Sequence, residues 1–255
     1  MNVRVLGCHG GASLHHRNVS FLIDDRLALD AGTLASALTV EEQARVRAVL
    51  VTHSHMDHVC DLGTLVEVRS QHPGEPLVIA GMRETIAALT AHYFNDVLWP
   101  DFAALQLPGG PVMELRELAL GERVDFFGID VLPIGVDHSV PSCGFVVRDG
   151  DAALAYSGDT GPTDRFWAVL HEVANLRYLI TEVSFPDRLA ELAEVSGHLT
   201  PRSFSEQLAK CPRREGLEIL VYGIKPSFEE EVLAEIRALG RSDVRTLRAG
   251  ETLQL

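Results

Sequence analysis

The stretch Thr52-His53-Ser54-His55-Met56-Asp57-His58 decides how the chain reads. It follows Val49–Thr52, a run with strand character, and precedes Leu62–Ser70, a run with helical periodicity. Three imidazoles and a carboxylate so close together are poor core material, whereas imidazole nitrogen and carboxylate oxygen are standard ligands for zinc and other first-row metals. On extended chain, His53 and His55 point to the same side. The turn into the helix can then aim Asp57 and His58 at a second position. The spacing H-x-H-x-D-H therefore suits two adjacent metal ions and is far more specific than a polar loop with incidental histidines.

Two downstream segments extend the set. Asp137-His138-Ser139-Val140-Pro141 and Ser157-Gly158-Asp159-Thr160-Gly161 each close an apolar run. His138 can supply a third nitrogen to one metal, and Asp159, with two oxygens, can bridge both.

The rest of the chain alternates short strands with amphipathic helices and carries no repeat or low-complexity tract. Strands are predicted at Val3–Leu6, Phe21–Ile23, Leu27–Asp30, Val49–Thr52, Leu77–Ala80, Ile129–Pro133, Gly144–Val147, Leu154–Tyr156, Tyr178–Thr181 and Ile219–Tyr222. Helices are predicted at Val40–Val46, Leu62–Ser70, Arg83–Tyr93, Thr163–Leu170, Pro201–Lys210 and Phe228–Leu239. Thr39 with Glu42 reads as a capping box, Thr200 before Pro201 as a capped start, and Gly240 as a helix stop. Gln106–Val112, rich in Pro and Gly, is predicted to be a surface connection. Residues from both halves enter the metal set, so a single domain over 1–255 is expected.

The ordered set H-x-H-x-D-H, a later His, then S-G-D-T resembles the metallo-β-lactamase superfamily. That resemblance implies an α/β fold, the four-layer αββα sandwich. His138-Ser139-Val140-Pro141-Ser142-Cys143-Gly144-Phe145 is similar to the H-x-V-P-x-x-G-[FY] segment of phosphodiesterase branches, RNase Z among them. Ser184-Phe185-Pro186, Gly197-His198-Leu199-Thr200-Pro201 and Phe94–Phe102 most resemble the class II cyclic-nucleotide phosphodiesterases. The resemblance implies that His53, His55 and His138 bind one metal, that Asp57 and His58 bind a second, and that Asp159 bridges them. It further implies that His198 donates a proton to the leaving oxygen, and that Asp30 orients a ligand histidine from behind. The implied cofactors are two divalent ions, zinc first, with manganese or iron as alternatives. Members of this branch end in Tyr-His-x-Lys-Pro. This chain has Tyr222-Gly223-Ile224-Lys225-Pro226, and Gly223 has no side chain to ligate the second metal.

The implied activity is hydrolysis of a small phosphodiester such as cyclic AMP by activated hydroxide, with Asp57 and His198 in the catalytic set. A non-hydrolytic metal-binding or sensor protein is the alternative that Gly223 keeps open, and an RNase Z-like endonuclease is a further one. Lactamase or thiolesterase chemistry fits the downstream segments less well. Phe94, Trp99 and Phe102 could wall a nucleobase pocket, or could be ordinary core or dimer-contact aromatics.

Composition narrows the partners. Hydrophobic residues make up 46% and charged residues 23%, as in ordinary globular proteins. The formal net charge of -14 argues against non-specific nucleic-acid binding. A small anionic substrate remains compatible, because bound metal dominates the local field. No apolar run is long enough to span a membrane and no secretory signal is evident, so a cytoplasmic location is the expectation, with a homodimer as the expected assembly. Cys8, Cys60, Cys143 and Cys211 are scattered and read as thiols, neither a disulfide framework nor a zinc set. The loop Gly7-Cys8-His9-Gly10-Gly11 suits a tight turn or a close backbone approach to phosphate. His15, His16, His72, His92 and His171 match no metal motif.

Overall fold

A computed structural model describes residues 1–72, 74–212 and 215–255 of the chain. The first half runs β1 (Asn2–Gly7), β2 (Ser20–Ile23), β3 (Leu27–Leu29), α1 (Val40–Arg45), β4 (Ala48–Val51), α2 (Met56–Val59), α3 (Leu62–Ser70), β5 (Leu77–Gly81) and α4 (Arg83–His92). A small hairpin, β6 (Gln106–Leu107) and β7 (Gly110–Pro111), leads into β8 (Met113–Glu117). Next come β9 (Val124–Phe126), β10 (Ile129–Val136), β11 (Ser142–Asp149), β12 (Ala152–Tyr156), α5 (Arg165–Glu172) and β13 (Leu176–Glu182). The chain then forms α6 (Ala190–Ser196), α7 (Pro201–Leu208), β14 (Glu218–Tyr222), α8 (Glu229–Ala238), β15 (Val244–Thr246) and β16 (Thr252–Gln254).

Two seven-stranded mixed sheets form the centre, ordered β16-β1-β2-β3-β4-β5-β8 and β15-β14-β13-β12-β11-β10-β9. Alternation along the strands fills both of their faces. In β12, Leu154 and Tyr156 face the first sheet, where Phe21, Leu29 and Leu50 meet them. Ala153 and Ala155 face outward, under Phe166 and Leu170 of α5 and Phe204 of α7. On the other side, Val49, Val51 and Ile79 pack under Leu62, Leu65 and Val66 of α3 and Leu89 of α4. Each large side chain buried in these layers stabilises the fold by about 1.5–3 kcal/mol. The result is helix, sheet, sheet, helix: the expected αββα sandwich.

The predicted caps form. Thr39 Oγ1 accepts the Glu42 N–H at 3.2 Å, and Glu42 Oε2 accepts the Thr39 N–H at 2.9 Å. Thr200 caps α7, with Pro201 at its first position. Gly240 leaves α8 at φ 64°. The Gln106–Val112 segment, predicted as a surface connection, contains the exposed β6–β7 hairpin. Among the described residues no helix is long and apolar enough to cross a membrane.

Strand direction positions the chemistry. β3, β4 and β5 are parallel neighbours, as are β12, β13 and β14. Their carboxyl ends release Asp30, Thr52-His53, Ser157–Asp159, Glu182 and Gly223. Ligand sites in α/β sheets form at such carboxyl ends.

Candidate metal and catalytic centre

Asp30 is the keystone. It is fully buried and sits at φ 56°, a left-handed conformation that Asp tolerates better than most residues. Its Oδ1 accepts the Thr52 N–H at 2.8 Å. Its Oδ2 accepts the Tyr156 hydroxyl at 2.6 Å, the Thr52 hydroxyl at 2.9 Å and the His58 Nδ1–H at 2.8 Å. Because the Thr52 hydroxyl is committed to Asp30, His53 Nδ1–H donates to Thr52 Oγ1, at 3.0 Å. Both rings are thereby fixed with Nε2 facing inward, the arrangement that outer partners impose on metal-ligating histidines.

His53 Nε2 and His58 Nε2 are buried and have no hydrogen-bond partner among the described residues. Native interiors rarely leave such atoms unsatisfied unless an ion or water completes them. His138 Nδ1–H donates to the Gly197 carbonyl at 2.8 Å, which turns His138 Nε2 toward His55 Nδ1, 3.2 Å away. Gly197 makes this approach possible: a Cβ there would lie 2.8 Å from His138 Cα, and its φ is 70°.

At this centre, among the described residues, three donor groups converge with their atoms within 4.8 Å: His53, His55 and His138; His53, His58 and Asp159; and His138, Asp159 and His198. Asp159 belongs to two of them, as a bridging position requires. Asp57 belongs to none among the described residues. Its carboxylate instead faces Lys225 Nζ at 3.7 Å. The one-turn helix α2 explains the divergence, since neighbouring positions on a helix point apart. His58 turns in and Asp57 turns toward the rim.

The electrostatics divide the cluster. Burial, reinforced by the neighbouring imidazoles, holds His53 well below its ordinary value, and lowers His55 and His138. These three are neutral, the form that binds metal. For His58, burial pulls the other way but Asp159 and Asp30 outweigh it and raise the imidazole well above its ordinary value. Burial opposes ionisation of Asp159 too, yet His58 and His198 hold it well below the usual carboxylate range.

A buried acid beside His198 was not legible in the sequence. Glu182 is fully buried at the end of β13 and its Oε1 accepts the His198 Nδ1–H at 2.8 Å. The Thr160 N–H and the Ser184 hydroxyl hold the same carboxylate at 3.1 and 2.8 Å. Burial lowers His198, but Glu182 more than offsets it, so the imidazole is raised above its ordinary value. Tyr222, whose hydroxyl donates to Asp159 Oδ1 at 3.1 Å, and Tyr156 were likewise unforeseen. The available signal was positional: each stands at or beside the carboxyl end of a parallel strand.

Of the two readings of the aromatic run, burial favours the ordinary-core one for Phe94 and Phe102. Phe94 and Phe102 lie in the outer core beneath the helices, and Trp99 packs over Gly63, where a Cβ would fall 2.1 Å from the indole. The buried rings of Phe94 and Phe102 are not free to stack on a base, and the half-buried Trp99 covers α3.

Gly223 has φ 83°, and a Cβ there would lie 3.3 Å from Glu182 Cβ. Its carbonyl lies 3.0 Å from the Ser184 hydroxyl, competing with Glu182 for that one proton. Gly223→His is therefore expected to cost about 1–3 kcal/mol of stability through its left-handed backbone. In a chain of this size thermal denaturation should register this as a fall of about 2–4 °C per kcal/mol.

A cavity of ≈ 460 Å³ opens beside His138, Pro141, Gly161 and Val195. Another, of ≈ 220 Å³, lies between the end of α3 and the β6–β7 hairpin, and none of the cluster's donors lines it.

Comparison with known proteins agrees with this geometry. Residues 22–219 match the family described as the β-lactamase superfamily domain. The chain belongs to the metallo-β-lactamase superfamily. This superfamily member is 29% identical to ribonuclease Z of Mycobacterium sp. (strain KMS) over 187 residues, 68% of the chain and 64% of that relative. The chain thus spans less than two thirds of that relative's length. It is 26% identical over 267 residues to a 3′,5′-cyclic-nucleotide phosphodiesterase of Aliivibrio fischeri, covering 83% of the chain and 79% of the relative. The crystal structure of unliganded yeast PDE1 superposes with a TM-score of 0.84 at 20% identity, over 100% of this chain and 99% of that one. At that identity the likeness speaks for the metallo-β-lactamase fold.

Proposed function

We propose that the chain is a metal-dependent phosphodiesterase acting on a small phosphodiester, with a 3′,5′-cyclic nucleotide as the first candidate substrate. The observation that carries this reading is a buried cluster in which His53 Nε2 has no hydrogen-bond partner among the described residues and His58 Nε2 faces Asp159 Oδ2 at 3.4 Å, with the His198–Glu182 dyad across Asp159. His53, His55 and His138 would hold one divalent ion. His58, Asp159 and Asp57 would hold a second, with Asp57 exchanging Lys225 for the ion. Bound divalent metal would supply an activated water and neutralise charge on the phosphoryl oxygens.

The chain's own residues do the rest. Asp30 and Thr52 lock the ligand rings against rotation. Glu182 accepts the His198 Nδ1–H and holds the ring beside Asp159, where the imidazole would give a proton to the departing sugar oxygen. The cavity beside His138 falls within the size range of small-molecule sites. The acidic surface weighs against a long polyanion such as RNA. The relatives named cyclic-nucleotide phosphodiesterase support this substrate class, while those named ribonuclease Z support the ribonuclease reading as the second one.

The test is a metal count on protein purified without added metal, together with assays on cyclic AMP, bis-p-nitrophenyl phosphate and a precursor tRNA. The expected result is phosphodiester turnover that a chelator abolishes and zinc or manganese restores. Metal-loaded protein without turnover would establish the non-hydrolytic reading. Cleavage of the tRNA alone, falling steeply with salt, would establish the ribonuclease reading.

A further inference from the structure

His9 and His16, from the loop after β1, converge on Glu229, the first residue of α8. No sequence motif joins them, because Glu229 lies more than two hundred positions downstream of His16. His16 Nε2 faces Glu229 Oε2 at 2.9 Å, and His9 Nε2 faces Glu229 Oε1 at 3.4 Å. The two rings meet edge to face, their centroids 4.7 Å apart. Their side chains are only 14% and 17% exposed, so this is a built arrangement.

The geometry suits a cation better than a pair of protons. Protonating both rings would set two imidazolium groups edge to face in a half-buried niche. Four-coordinate zinc with ligands at about 2.0–2.1 Å has ligand–ligand edges of about 3.3–3.4 Å. Here each imidazole faces its own oxygen of Glu229, at 2.9 and 3.4 Å, and one donor atom from each of the three residues lies within 4.8 Å of the others, close enough for a single ion to draw them together. Ser13 Oγ sits 2.5 Å from His16 Nδ1, in the place of the outer partner that fixes a ligating ring. The His9 backbone N–H is tied to the Arg17 carbonyl at 3.0 Å, which closes the loop.

We propose that His9, His16 and Glu229 form a second metal site, separate from the cluster around Asp159, that takes one zinc-like divalent ion with water in its fourth position. The site shares no ligand with the cluster but is mechanically joined to it. Gly10 donates to the Ile224 carbonyl at 3.2 Å, and a Cβ at Gly10 would lie 2.4 Å from the Gly223 carbonyl. Lys225, next along, reaches Asp57. An ion here clamps the 8–17 loop to α8 and holds the Gly223–Lys225 segment against the rim of the cluster.

The test is zinc titration of chelator-stripped protein, with the bound metal counted after desalting. Wild type is expected to retain about one ion per chain more than Glu229→Gln or His16→Asn, as a three-ligand site requires. Circular dichroism of the metal-free variants checks that each is folded. Should either variant fail to fold, Asp159→Asn supplies the second measurement. With the cluster impaired, cobalt is still expected to give a tetrahedral visible spectrum, which His9→Asn added to it abolishes. Equal zinc counts in wild type and the folded variants, or a cobalt spectrum indifferent to His9, would overturn the proposal.

Discussion

Asp159→Asn is expected to strip the cluster of most of its metal and to lower kcat/KM on any phosphodiester by more than 100-fold. Losing an outer partner of a ligand typically costs about 10–100-fold, and Asp159 faces the donors themselves. The amide keeps the shape, so Tyr222 can still donate to the remaining oxygen. What disappears is the charge that His58 and His198 share. The metal-free protein reports the same loss through pH. Asp159 is held well below its ordinary value of 3.8 in the fold, so its contribution is present above that value and is lost as pH falls through the folded pKa. Metal-free wild type should therefore lose stability on acidification below about pH 4, and the Asn variant should lack that component. Breaking a buried pair costs about 3–5 kcal/mol, and Asp30, still bonded to His58 Nδ1, places this one at the lower end. Urea denaturation of both proteins across pH, with metal analysis, checks it. Unchanged metal content in the Asn variant would remove Asp159 from the centre.

The elements that the sequence hid share a physical cause. Among the described residues, the hairpin strands Gln106–Leu107 and Gly110–Pro111 escaped its pattern, and so did four strands of the main sheets: Met113–Glu117, Val124–Phe126, Val244–Thr246 and Thr252–Gln254. These last four are the outer edges of the two seven-stranded sheets. An edge strand pairs on one side only and is commonly short and charged, so it lacks the apolar run that marks a central strand. Met113–Glu117 keeps one buried residue among five, whereas Leu77–Gly81 beside it keeps all five buried. The histidine motif was legible because its ligands sit close in sequence. Glu182 was not, because its meaning depends on His198 reaching it from a separate segment after α6. The same holds for His9, His16 and Glu229, where the loop and the helix meet only in the fold. Phe94 and Phe102 stayed ambiguous in the sequence for another reason: an aromatic run reads alike whether its rings face a ligand or a helix.

His198→Ala is expected to lower kcat on cyclic AMP by roughly 10²–10⁴-fold, the span typical of general acid catalysis, while leaving bound metal unchanged. The same variant should lose less than about tenfold on bis-p-nitrophenyl phosphate, because p-nitrophenolate departs without needing a proton and the ribose alkoxide does not. That contrast separates proton donation from metal binding or scaffolding, either of which would depress both substrates alike. Glu182→Gln provides the companion test. The amide can still accept the Nδ1–H, so the ring stays in place, but the charge that outweighs burial is gone. The His198 pKa then falls, and a general acid with a lower pKa is deprotonated sooner as pH rises. The alkaline limb of the cyclic AMP profile should shift toward acid in Glu182→Gln and vanish in His198→Ala. A profile unmoved by both substitutions would assign the leaving-group proton to another donor and reduce the dyad to a structural support for the Gly223 loop.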